Sequence, residues 1–98
     1  MNQMKMSITK PAVKWFINEL DLKEQDSIRF FARYGGFGGV HKGFSLALEK
    51  TEPNNPGAEV TEEGIHFFVE ESDLWYFNDM NFHIKYSRKI DEIEYIIE

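Results

Sequence analysis

The sequence predicts a mainly β, α+β fold: a twisted β-sandwich or half-barrel with an N-terminal helix and a second short helix. Three observations predict it. Several segments alternate apolar and polar residues with period two, as half-buried strands do. One segment near the N-terminus repeats its apolar residues at helical spacing. A hydrophobic content of 42% with nine Phe supplies a core for 98 residues, enough for a single domain over 1–98.

The elements follow in order. Residues 5–8 read as a first short strand. Thr9 is placed to cap a helix over about residues 10–21, and Pro11 falls in its first turn, where a missing N–H costs nothing. Ala12, Val13, Phe16, Ile17 and Leu20 share one face of that helix. Residues 27–34 alternate Ile28, Phe30, Ala32 and Tyr34 against Arg29, Phe31 and Arg33, which predicts a strand. Residues 41–50 alternate Phe44, Leu46 and Leu48 against Gly43, Ser45 and Ala47, and pair with it as a long hairpin. The stretch 51–57 carries Pro53, Asn54, Asn55 and Pro56 and reads as a loop. Short strands follow at 59–61 and 65–69, with a turn at 62–64. Ser72 is a candidate N-cap for a brief helix bearing Leu74, Trp75 and Phe77, and Asn78-Asp79 turns the chain. Phe82, Ile84 and Tyr86 mark another strand, and 93–97 a last one.

Charge narrows the function classes. Residues 1–50 carry eight Lys/Arg against five Asp/Glu, whereas residues 51–98 carry three against twelve. An acidic half repels phosphate backbones, which argues against a nucleic-acid partner. It serves solubility, or steers the chain toward a basic partner or a cation. No apolar run approaches the roughly 20 residues that span a bilayer. The N-terminus has no apolar signal-peptide core, and a cytoplasmic setting is expected. With no cysteine, no disulfide framework forms.

Four of the seven glycines crowd one loop, Gly35-Gly36-Phe37-Gly38-Gly39, between two strands. Backbone N–H groups in such a loop form anion-binding nests, and Arg33, His41 and Lys42 flank it as possible anion contacts. A phosphate loop needs its glycines to open a helix, and here they lead into a strand. His66 and His83 lie on the polar faces of their strands, and with Glu70 or Asp73 are candidates for a divalent metal if those strands pair. Trp75 and Tyr76, within three consecutive aromatics, are candidate protein contacts, because a short helix does not bury all three. No triad, nucleophile elbow or Cys/His pair is visible, so catalysis is not expected.

The order of elements resembles the HesB/IscA-like family, the A-type iron–sulfur carriers. The matching features are Ser7-Ile8-Thr9 before a helix, Ile28-Arg29-Phe30, the loop Gly35-Gly36-x-Gly38, the strand opening Phe44-Ser45-Leu46, and Gly64-Ile65-His66-Phe67-Phe68-Val69 before a Ser72-started helix. That family keeps one cysteine in the loop and a Cys-Gly-Cys pair near the C-terminus. Phe37 occupies the loop position here, and residues 91–98 hold neither Cys nor Gly. A phenyl ring ligates no iron, so no thiolate-held cluster, and no cofactor, is expected. The resemblance implies an accessory or protein-binding role beside iron–sulfur assembly, with a protein partner or a second copy of the chain. The alternative is a small-anion or divalent-metal-binding domain.

Overall fold

The computed structural model describes residues 4–35 and 43–98. Its elements run β1 (Met6–Ile8), α1 (Lys10–Leu20), β2 (Ser27–Tyr34), β3 (Phe44–Lys50), β4 (Pro56–Glu62), β5 (Ile65–Glu70), a 3-10 helix (Glu71–Phe77), β6 (Phe82–Ser87) and β7 (Glu92–Ile97). The fold is α+β and mostly strand. Two mixed sheets form, a three-stranded one in the order β1-β6-β7 and a four-stranded one in the order β3-β2-β5-β4. The described residues form no closed barrel.

Helix α1 starts where its cap predicts. Thr9 is extended, and its side-chain oxygen accepts from the Ala12 N–H at 3.4 Å. It ends as Asp21 turns left-handed and the Leu22 N–H bonds to the Ile17 carbonyl at 3.0 Å. Ala12, Val13 and Phe16 are fully buried, whereas Leu20, expected on the same face, emerges at the surface. Phe16 meets Phe30 of β2 and Phe67 of β5, at centroid distances of 6.0 and 5.7 Å. Phe30 also meets Phe82 of β6 at 5.4 Å and Tyr95 of β7 at 6.0 Å. One ring therefore ties the helix and both sheets into a single core.

The hairpin of β2 and β3 is in unbroken register from Ile28↔Lys50 to Tyr34↔Phe44. Between β4 and β5, Glu63 and Gly64 both take positive φ, 49° and 78°, in a two-residue turn of the primed kind that suits a twisted hairpin. Strand β4 is longer than the alternation suggested and begins at Pro56, a residue an edge strand tolerates.

The second helix departs from expectation in its start. It is a 3-10 turn with Glu70 at the N-cap position and no side-chain cap bond, so Ser72 lies inside the helix rather than at its start. Its three aromatics divide: Tyr76 and Phe77 are fully buried, and Trp75 is 47% exposed. Tyr76, expected as a surface contact, belongs instead to the core.

Candidate functional site

Among the described residues, the end of the sheet where β2 and β3 meet carries the most exposed aromatic side chain, Tyr34. Tyr34 closes β2 with 84% of its surface exposed. Its ring meets Phe44, its register partner on β3, edge-on at 5.6 Å. Phe44 in turn meets Trp75 at 5.1 Å. The three rings form a continuous apolar strip from the hairpin to the 3-10 helix. An amphipathic ring on a rigid strand binds proteins at small entropic cost, and Trp and Tyr are the residues in which contact energy concentrates.

An ionic network fixes that helix to the sheet. Arg29 on β2 donates to Asp73 at 2.8 Å and to Glu49, opposite it on β3, at 3.3 Å. Its guanidinium lies 4.8 Å over the Phe31 ring. The bond to Asp73 and the nearby carboxylates raise the Arg29 pKa above its already high ordinary value. One residue before the helix, the buried Glu70 carboxylate accepts the backbone N–H groups of Asn54 and Asn55 at 3.1 and 3.0 Å. Glu71 answers with its own N–H to the Asn55 carbonyl at 2.8 Å. The acidic run is therefore a clasp that closes the loop 51–55 and sets the helix, and sequence patterning did not reveal these partners.

The metal expectation is corrected by topology. His66 lies on β5 and His83 on β6, in different sheets, so the two do not converge. His66 Nε2 bonds Glu59 Oε1 at 2.6 Å, with its ring stacked on Phe68. His83 Nδ1 pairs with Ser7 Oγ at 2.6 Å. Asp73 is held by Arg29, and Glu70 by the loop amides. Among the described residues, no group of three or more metal-ligating side chains forms. Arg33 stands exposed at the end of β2 and Gly35 follows it in a left-handed turn. Gly36, Phe37, Gly38, Gly39, His41 and Lys42 lie outside the described residues. No helix among the described residues is long and apolar enough to cross a membrane.

No family model matches the chain. Curated proteins do. Over 89 residues, spanning 91% of this chain and 94% of the relative, it is 47% identical to a protein of Bacillus subtilis named pyruvate dehydrogenase inhibitor. It is 41% identical over 95 residues to an uncharacterised protein of Staphylococcus saprophyticus, covering 94% of the chain and 97% of the relative. An uncharacterised Staphylococcus aureus protein is 39% identical over the same shares. These findings correct the HesB/IscA reading and the iron–sulfur role drawn from it, since the named relative is an enzyme inhibitor and nothing matched points to cluster assembly. The resemblance rested on element order and on a glycine loop, features that unrelated functions share. The chain belongs to the family that includes the Bacillus subtilis pyruvate dehydrogenase inhibitor and these staphylococcal proteins.

Proposed function

We propose that this chain inhibits pyruvate dehydrogenase by binding to it, as a regulatory protein that catalyses no reaction of its own. The end-to-end likeness to the Bacillus subtilis inhibitor, 47% over 89 residues, carries this reading. The aromatic strip of Tyr34, Phe44 and Trp75, exposed at Tyr34 and Trp75 and half-buried at Phe44, supports it by offering a contact surface. The clasp through Asp73 and Glu70 holds Trp75 in place before any partner arrives, which lowers the entropic cost of association. The expectations of no cofactor and of a cytoplasmic setting go with this reading.

The test is titration of the purified protein into pyruvate dehydrogenase from Bacillus subtilis, with pyruvate-dependent activity as the readout. Activity is expected to fall with dose and to level off as the enzyme saturates. Replacing Trp75 or Tyr34 by Ala is expected to raise the half-inhibitory concentration by about tenfold, the scale of one contact hot spot. Full activity in excess protein overturns the proposal.

A further inference from the structure

Four strands stand at sheet edges: β1 and β7 in one sheet, β3 and β4 in the other. An open edge presents unpaired N–H and C=O groups to any passing chain. Folded proteins blunt such edges with short strands, charges, proline or bulges. Three of the four edges here are blunted. Strand β1 has three residues. Strand β7 carries Glu92 and Glu94. Strand β4 opens on Pro56, shifts register between Pro56 and Ala58, and bears Glu59 and Glu62. Strand β3 confines its charges to its last two residues, Glu49 and Lys50, and has no such device over Phe44–Leu48. That stretch is uncharged and proline-free, and it pairs with β2 without a shift. Among the described residues no strand lies beyond it.

The phase of its ladder follows from two flanking bonds. The Gly35 N–H reaches the Gly43 carbonyl at 2.6 Å, and the Thr51 N–H reaches the Ser27 carbonyl at 3.1 Å. Residues 43, 45, 47, 49 and 51 therefore bond to β2. Hydrogen-bonded and non-bonded pairs alternate in an antiparallel ladder, so the N–H and C=O groups of Phe44, Leu46, Leu48 and Lys50 point to the free edge.

We infer that β3 pairs antiparallel with β3 of a second copy, about a two-fold axis at Ala47, joining the two four-stranded sheets into one. This register matches the strand end to end. Phe44 faces Lys50 of the second copy, Ser45 faces Glu49, Leu46 faces Leu48, and Ala47 faces its own counterpart. Every outward-pointing residue meets another outward-pointing residue, as the ladder requires. No like charges are opposed, and an apolar pair sits on each side of the axis. On the other face the row reads Arg29, Glu49, then Ser45 and Arg33 of the second copy. Strands lie about 4.8 Å apart, so the exposed Arg33 of the second copy stands roughly 10 Å from Glu49 between Cα atoms. The small Ser45 between them leaves that span open, and Glu49 then bridges an arginine from each copy. The pairing goes beyond the inhibitor reading and does not depend on it.

The absence of native cysteine makes the test direct. Ala47→Cys under mild oxidation is expected to give a disulfide-linked dimer, because directly opposed residues have Cα atoms close enough to bridge. Ser45→Cys is expected not to, since its counterpart sits four residues away, about 13 Å along the strand. By sedimentation, Ala47→Lys and Ala47→Glu should each raise the dimer dissociation constant at least tenfold, and mixing the two variants should restore the dimer. A monomeric unmodified protein at high micromolar concentration, or equal cross-linking of both cysteine variants, overturns the inference.

Discussion

Asp73 shows how much a single side chain decides here. It is 7% exposed and carries a charge that burial would penalise, and Arg29 is what makes its position tolerable. The match is incomplete, because Arg29 Nε is buried with no hydrogen-bond partner among the described residues. Arg29 is itself partly exposed and keeps its bond to Glu49, so breaking the pair costs less than at a fully buried site. Asp73→Asn is expected to lower stability by about 1–2 kcal/mol, read as a fall in the urea midpoint at constant slope. Pairing Asp73→Leu with Arg29→Met should recover much of the loss, since no lone charge then remains. Tyr95 makes a second case. Packed against Phe30 and Phe82, its phenol is pushed up by burial to about 12. Below pH 10 this has no effect on stability. Between pH 10 and about 12 the unfolded chain releases a proton that the folded chain retains, so stability falls as pH rises. Tyr86, raised by its bond to Asp91, acts in the same direction. Tyr95→Phe is expected to make the alkaline decline shallower, in urea midpoints compared at about pH 9 and pH 11. Residue type alone suggested Glu70, Asp73, His66 and His83 as ligands. A carboxylate is defined by what faces it, and the Asn54 and Asn55 amides that face Glu70 lie 16 and 15 residues away.

Strands β2 and β6 and the first helix were legible because each buries one face, and burial writes its period into the sequence. Strand β2 matches its alternation from Ser27 to Tyr34, and α1 begins at the residue after Thr9. The second helix was legible as an element but not in its start. A 3-10 turn has no long apolar face to announce it, and its cap is set by where β5 ends. Gly57 shows the same limit. In sequence it closes a turn-rich stretch, Pro53 to Gly57. In the structure it is inside β4, and an added Cβ would stand 2.7 Å from Leu74 Cδ1 and 3.0 Å from Glu71 Cα. The glycine permits the 3-10 helix to rest against the strand. Leu74 is the end of a flexible side chain and can yield, but the Glu71 backbone cannot move without disturbing the Glu70 clasp. Gly57→Ala is expected to destabilise by about 1–3 kcal/mol. It should also speed amide exchange at Asn54 and Asn55, which a purely local clash would leave unchanged.

At the scale of the whole molecule, the pairing least visible in sequence is β1 with β6, parallel strands that bring Ser7 to His83 across 76 residues. No local pattern specifies it, because its register is fixed by the core the two sheets share. Phe30 is the centre of that core, touching Phe16, Phe67, Phe82 and Tyr95. If one ring joins both sheets, neither should melt alone. The two tryptophans test this, since Trp15 sits on α1 and Trp75 on the 3-10 helix. Single-tryptophan proteins made by Trp15→Phe and Trp75→Phe are expected to show one urea midpoint each, coincident with that variant's own loss of far-ultraviolet dichroism. Phe30→Ala should remove about 3–5 kcal/mol, a large part of the roughly 5–15 kcal/mol that holds such a chain folded. Its effect should fall equally on both tryptophan signals. A variant in which Trp75 loosens while Trp15 stays native would mean that the sheets are separate units. In that case the aromatic strip at Tyr34, Phe44 and Trp75 would no longer be held rigid by the core beneath it.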